Sequence, residues 1–230
     1  MKRFANLLKR PDDLRYAISK GAMPFLRGLV WQLVRLRRPR MFFLGGRTQF
    51  VAAWNLRFEG RVAIGAHSYI ETSAEELVVF RNGVTLRENA WIQCRSGLNA
   101  RGLGLLLEER VYIGPNAVIG VGGKIVIGTG TQIGAGVSFV AESHEFHEGS
   151  FTTGVTRRKG ITVGPNCWFG NNVTVLDGVE IGAGSVVGAG AVVTRSLPAG
   201  CVAVGAPARV IRMTGHIGKE NPECLTKDRT

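Results

Sequence analysis

Residues 161–194 read ITVGPNCWFGNNVTVLDGVEIGAGSVVGAGAVVT, and an apolar residue occupies every sixth position of this stretch. The apolar positions are Val163, Phe169, Val175, Ile181, Val187 and Val193. Three residues after each of the first five stands a residue that tolerates a left-handed backbone: Asn166, Asn172, Gly178, Gly184 and Gly190. A period of six does not suit an α-helix. It indicates short strands joined by tight corners, with three strands closing one triangular coil.

The same phase is present upstream at Ile113, Ile119, Ile127 and Ile133, each with Asn or Gly three residues on (Asn116, Gly122, Gly130, Gly136). Between residues 71 and 110 the phase is ragged. We therefore predict an all-β fold, a parallel β-helix over residues 58–206 with about eight coils of about 18 residues each. Residues 1–57 form an N-terminal helical basic arm and residues 207–230 a short C-terminal tail. A β-sandwich has no reason to keep a six-residue phase.

Three stretches carry a family resemblance: IGTGTQIGAGVSFVAESHEFH (127–147), the segment 161–194, and VGAPARVIR (204–212). They resemble the hexapeptide-repeat acetyltransferases, closest to the galactoside, maltose and xenobiotic enzymes and to capsule or O-antigen O-acetyltransferases. The resemblance implies a left-handed β-helix, a homotrimer with sites between adjacent prisms, and acetyl-CoA as co-substrate. It also implies direct transfer to a saccharide acceptor, free or lipid-linked, without an acyl-enzyme.

The six-residue phase stops after Phe139 and resumes at about Ile161, which predicts an ejected loop over residues 140–160 without secondary structure of its own. Such long loops are usually functional. The loop holds His144 and His147, and a neutral imidazole is suited to accept a proton from an attacking hydroxyl near neutral pH. His144 matches the position of the family's catalytic histidine, and His147 is the second candidate.

The resemblance implies the other site residues. Trp168 points outward and matches a family residue that lines the acceptor and pantetheine site, and Asn171 matches a polar group near the thioester carbonyl. A donor at Asn171 would stabilise the oxyanion, although a simple turn residue is the alternative. Asn116 occupies a corner phase and is left out of the site. The predicted coenzyme A contacts are Gly170, Ala189, Arg195, Arg209 and Arg212.

The sequence gives less support to other functions. A β-helical metal-dependent hydratase needs three converging histidines, and the sequence has four in all, two of them remote (His67 and His216). A non-catalytic β-helix scaffold would need neither the ejected histidine nor the arginines. An amino-sugar N-acyltransferase with the same site remains open. The four cysteines form no C-x-x-C pair, which indicates a reduced, cytoplasmic compartment.

Charge is uneven along the chain. Residues 1–61 contain 14 Lys and Arg and 3 Asp and Glu, whereas the remaining residues are nearly neutral. Pro11, Asp12 and Asp13 indicate a helix start, and residues 25–40 show a basic amphipathic helical pattern. This pattern predicts contact of residues 1–45 with an anionic membrane on its cytoplasmic side, and the alternative is packing on the prism or trimer. We expect no signal peptide, no membrane span and no nucleic-acid partner.

Overall fold

The computed structural model describes residues 18–97, 100–147 and 150–214. Within these segments a π-helical turn (Ile18–Ala22) leads into helix α1 (Met23–Val34), and a 3-10 turn lies at Ala53–Asn55. The remainder is a parallel β-helix of triangular cross-section, as predicted. No helix in the described part of the chain is long and apolar enough to cross a membrane.

Each coil places one strand on each of three faces, in the order first, second, third. The first three coils contain β1 (Phe42–Leu44), β2 (Gln49–Val51), β3 (Leu56–Phe58), β4 (Val62–Ile64), β5 (Tyr69–Glu71), β6 (Val78–Phe80), β7 (Val84–Leu86), β8 (Trp91–Gln93), β9 (Arg95–Gly97), β10 (Ala100–Arg101) and β11 (Leu105–Leu107). Of these, β9 and β10 form an antiparallel hairpin that leaves the prism between its second and third faces.

The next three coils contain β12 (Tyr112–Ile113), β13 (Val118–Gly120), β14 (Ile125–Ile127), β15 (Gln132–Ile133), β16 (Ser138–Val140), β17 (Ser143–His147), β18 (Ser150–Arg157), β19 (Ile161–Val163), β20 (Trp168–Phe169), β21 (Thr174–Leu176) and β22 (Glu180–Ile181). The last contains β23 (Val186–Val187), β24 (Val192–Val193) and a bridge at Leu197. Finally β25 (Cys201–Val204) extends the first face, and β26 (Arg209–Met213) returns antiparallel to it.

The predicted inner column is confirmed: Phe169, Val175, Val187 and Val193 have no solvent exposure. The predicted corners are confirmed by positive φ angles at Asn116, Asn166, Asn172, Gly130, Gly136, Gly178, Gly184 and Gly190. Gly122 is the exception, because its φ is not positive. A Cβ there would lie 2.6 Å from the Cβ of Glu142, so close packing is what excludes a side chain.

The predicted boundaries need correction at both ends. The coils begin at Phe42 and not at residue 58, and the described residues form seven coils followed by two strands, β25 and β26. The early corners are built by Arg47, Ala52 and His67 in left-handed conformations, which hides the repeat from a search for Gly and Asn. At the C-terminal end, β26 belongs to the first face, so residues 209–213 are not a free tail.

Helix α1 closes the N-terminal end of the prism. Trp31 is buried against Phe42, Phe50 and Phe58, with ring centroids 5.5, 4.7 and 6.1 Å away. A Cβ on Gly28 would lie 1.9 Å from the carbonyl oxygen of Phe42, so the helix backbone rests directly on β1. The structure therefore shows that α1 packs on the end of the prism, as the alternative interpretation of the arm expected. The helix start predicted at residues 11–13 lies outside the described residues.

Candidate active site

The segment predicted as a loop without secondary structure is a β-hairpin. β17 and β18 pair antiparallel, with His144 opposite Thr156 and a register shift between His144 and Phe146. The reason is the alternating Phe, Thr and Val content of residues 150–157, which suits a strand. The His144 side chain is exposed on this hairpin. His147 lies on β17, and its side chain is outside the described part of the structure.

Two sets of contacts fix the base of this hairpin. Arg158 Nε donates to Glu142 Oε2 over 2.8 Å, and Arg158 Nη1 donates to the carbonyl of Arg101 on the neighbouring hairpin over 2.9 Å. The carboxylate of Asp177 accepts from the backbone N–H groups of Lys159 and Gly160. Arg158 is therefore largely buried in an ion pair at the base of the hairpin.

Trp168 lies outward on the first face, as predicted, with 53 % of its surface exposed. In the ladder it stands between Gln132 and Val186. The next residues form the edge between the first and second faces. A Cβ on Gly170 would lie 2.5 Å from the backbone nitrogen of Ala189, so these two predicted coenzyme A contacts stack directly on each other.

Asn171 has a structural role in addition to any chemical one. Its Oδ1 accepts from the backbone N–H of Ala135 over 2.9 Å, which orients the side-chain amide. The amide NH₂ is then the part that can donate to a ligand. Asn116, by contrast, has φ +61° and pairs with Asn89 through side chains, so its interpretation as a corner is confirmed.

Within one chain the structure does not bring the predicted site together. The hairpin of His144 leaves the edge between the second and third faces, whereas Trp168 lies on the first face. Arg195 follows β24 and shares the edge of the His144 hairpin. Arg209 and Arg212 are exposed on β26, the last strand of the first face. None of the three arginines has an ion pair with a carboxylate in the described segments.

An open cavity of about 300 Å³ lies on the second face beside the base of the His144 hairpin, and sequence reasoning missed it. It is lined by Gln93, Arg95, Gly120, Val121, Gly122, Val140 and Glu142. The strands that form it come from three different coils, so only the register of the coils reveals it.

Two buried cysteines, Cys94 and Cys167, are not activated as nucleophiles. Burial, together with the negative charge of Glu71, raises the pKa of the Cys94 thiol to about 12. Burial also raises the pKa of Cys167. Both thiols stay protonated near neutral pH and are poor nucleophiles. Among the described residues no three His, Cys, Asp or Glu side chains converge as a metal site would require.

Comparison with known proteins places these features in a family. The family model for bacterial transferase hexapeptides (six repeats) matches residues 160–195. The galactoside O-acetyltransferase of Escherichia coli (strain K12) is 32 % identical over 142 residues, which cover 62 % of this chain and 70 % of that protein. A Staphylococcus aureus (strain MRSA252) protein, described only provisionally as an acetyltransferase, is 38 % identical over 129 residues, or 56 % of this chain.

The chain spans 63 % of the length of that staphylococcal relative and 56 % of several others. Among solved structures, AntD (an N-acyltransferase from Bacillus cereus) superposes with a TM-score of 0.51 at 15 % identity, over 76 % of this chain and 81 % of that one. That likeness concerns the fold, and it agrees with the predicted left-handed β-helix.

Proposed function

The chain belongs to the hexapeptide-repeat acetyltransferase family, and from this premise we propose that it is an acetyl-CoA-dependent O-acetyltransferase that acts on a saccharide hydroxyl. The observation that carries the proposal is His144, held on a hairpin whose base is locked to the prism by Arg158, Glu142 and Asp177. A fixed hairpin places a base reproducibly, as proton transfer in a transition state requires.

The proposed reaction is direct. The acceptor hydroxyl gives its proton to the neutral imidazole of His144 while its oxygen attacks the thioester carbonyl carbon. The carbonyl oxygen becomes an oxyanion, and the NH₂ group of Asn171 is available to donate to it. When the carbon–sulfur bond breaks, the imidazolium returns the proton to the leaving thiolate of coenzyme A. The raised pKa values of Cys94 and Cys167 support transfer without an acyl-cysteine.

We propose further that the protein acts as a homotrimer, because the predicted site residues are divided between different sides of one prism. His144 would then face the Trp168 surface of a neighbouring copy. Gly170 and Ala189 offer a close backbone approach for the pantetheine arm, and Arg195, Arg209 and Arg212 supply positive charge for the phosphates. No metal is required in this scheme.

Capsule or O-antigen assembly is the proposed setting, with a lipid-linked saccharide as acceptor on the cytoplasmic side of a membrane. The support is the outer face of α1, where Leu26, Val30, Leu33 and Val34 are exposed, with Arg27 and Arg35 alongside. Such a face suits the interface of an anionic bilayer. Flotation should then occur with anionic vesicles and not with zwitterionic ones, and Leu33→Asp should abolish it. Equal behaviour in both vesicle types would exclude this part of the proposal.

The central experiment is thiol release from acetyl-CoA with a panel of sugars, comparing the wild type with His144→Ala. Loss of the general base should lower turnover by roughly 10²- to 10⁴-fold. Full activity in the variant would refute the assigned base. An amino-sugar N-acyltransferase is the second candidate, because the same base can deprotonate an amine. Alkaline hydroxylamine distinguishes the products, since it cleaves an O-acetyl ester and leaves an N-acetyl amide intact.

A further inference from the structure

We propose that the cavity on the second face, centred on Gly120, is the subsite that holds the pyranose ring of the acceptor. This inference rests on the proposed function. It starts from the ladder of the second face, in which Gln93, Gly120 and Val140 stand in register on successive coils. These residues form one outward column, and the missing side chain at Gly120 leaves a gap between its two neighbours.

The backbone does not require glycine at position 120. Its φ angle is not in the left-handed range, and a Cβ there would meet nothing nearer than the carbonyl oxygen of Phe139, 3.7 Å away. That is ordinary van der Waals contact. Gly122 differs, because a Cβ there would lie 2.6 Å from the Cβ of Glu142. Gly120 therefore keeps space open toward solvent and does not serve the fold.

One side of the gap continues into an aromatic surface. Trp91 is 48 % exposed and stacks on Tyr69 with ring centroids 4.6 Å apart and planes tilted by 29°. The stacked pair presents a rigid apolar surface, to which the C–H face of a pyranose can pack. Trp91 Nε1 donates to Gln93 Oε1 over 3.2 Å, which ties the indole to the cavity wall.

The other walls are polar and suit hydroxyl groups, which both donate and accept. Gln93 Nε2 donates to the carbonyl of Arg95 over 2.7 Å, and a side-chain amide carries a second hydrogen that can serve a ligand. Glu142 lines the far wall and stands two positions before His144. A sugar ring in the cavity would thus lie beside the hairpin that carries the base.

The cavity volume of about 300 Å³ is at the lower end of ligand pockets, which span roughly 300–1,000 Å³. That size favours one sugar ring, with the rest of a saccharide in solvent. The other described cavities border α1 or the first three coils, and none of them is lined by a residue of the His144 hairpin.

The test fills the gap without disturbing the fold. Gly120→Leu should raise KM for the acceptor at least about tenfold, with KM for acetyl-CoA and the melting temperature unchanged. Gly46→Leu is the matched control, since a Cβ there also has open space (nearest atom 3.8 Å) and position 46 is remote from the cavity. Trp91→Ala should also raise the acceptor KM, and Trp91→Phe should preserve most of the binding.

The possible outcomes distinguish failure of the subsite from failure of the proposed function. If Gly120→Leu raises KM for acetyl-CoA and not for the acceptor, the cavity belongs to the cofactor and the subsite is wrong. If neither constant changes while the wild type turns over, the subsite is wrong and the proposed function stands. If the wild type turns over no sugar, the proposed function fails. Calorimetric titration with methyl glycosides then decides the subsite, which stands only if Gly120→Leu removes a binding heat measured with the wild type.

Discussion

Arg158 Nε lies 2.8 Å from Glu142 Oε2, and this ion pair joins the two ends of the hairpin that carries His144. Both side chains are mostly buried, with 22 % and 16 % exposure, so the pair is screened less than a surface pair. Arg158 also donates to the Arg101 carbonyl, which links the two ejected hairpins. The pair therefore fixes where the hairpin, and with it His144, stands on the prism.

Arg158→Met should loosen this base and lower kcat by about tenfold or more, since small misplacements of a base are costly. KM for acetyl-CoA should stay unchanged, because the predicted cofactor contacts lie elsewhere. Steady-state kinetics at several pH values measures the effect. Arg110→Met is the control, because Arg110 forms an exposed ion pair with Glu109 between β11 and β12, away from the hairpin. Equal kinetics in both variants would show that the ion pair only stabilises the fold.

A second prediction concerns the three arginines that we expect to contact the phosphates of coenzyme A. Arg195→Ala, Arg209→Ala and Arg212→Ala should each raise KM for acetyl-CoA several-fold, because each removes an unneutralised positive charge. Added salt should raise the wild-type KM in the same direction through screening. Acetyl-dephospho-CoA identifies the residue at the 3′-phosphate, because that variant alone should no longer discriminate between the two donors. Arg57→Ala, on the third face, is the control.

Much of the prism could be predicted from sequence, because a corner needs a left-handed residue and the core needs an apolar one. The positive φ angles at Asn166, Asn172 and Gly178 follow directly from that requirement. The first coil escaped detection because Arg47 and Ala52, and not Gly or Asn, occupy its left-handed corners. The repeat also shows where the coil is interrupted, but it carries no information about the secondary structure of the inserted residues. The hairpin of β17 and β18 was therefore missed.

The site was predicted less completely, for a reason that lies in the architecture. Residues adjacent on one face are a whole coil apart in sequence, and hairpins of irregular length intervene. The stack of Tyr69 on Trp91 and the gap at Gly120 both depend on this register. The Arg158 ion pair depends on both ends of the hairpin returning to the same edge. None of these relationships has a local sequence pattern.

Cys94 predicts how stability responds to alkaline pH. Its pKa is about 12 in the folded chain against 9.0 for an ordinary thiol, chiefly because of burial. Below pH 9 the thiol is protonated in both states and the free energy of unfolding does not depend on it. Between pH 9 and 12 the unfolded state releases the proton and the folded state does not. Stability should therefore fall, by up to about 1.4 kcal/mol per pH unit.

Urea unfolding at pH 8, 9.5 and 10.5 checks this prediction through the difference between the wild type and Cys94→Ala. Other groups also titrate in this range, but they are common to both proteins and cancel in the difference. The variant should lose less stability than the wild type as pH rises. Parallel stability curves would mean that Cys94 ionises equally in the folded and unfolded chain.

We expect Trp31 to stabilise the N-terminal end of the prism. It fills the open end of the prism against Phe42, Phe50 and Phe58, so Trp31→Ala should cost about 3–5 kcal/mol through lost contacts and a cavity. The indole N–H of Trp31 is buried and has no hydrogen-bond partner in the described structure. Trp31→Phe therefore loses no hydrogen bond and should cost much less than the alanine variant.

Coils of a β-helix contact mainly their neighbours, so the loss at Trp31 should be local at first. Hydrogen exchange in Trp31→Ala should increase in β1, β2 and β3 before it increases in β20 and β23. Trp54→Ala is the matched control, because Trp54 is 83 % exposed beside the same coil and should change stability by less than about 0.5 kcal/mol. If Trp31→Ala left exchange in the first coil unchanged, α1 would have no role in closing the prism, and its apolar residues would have to be explained by an external partner alone.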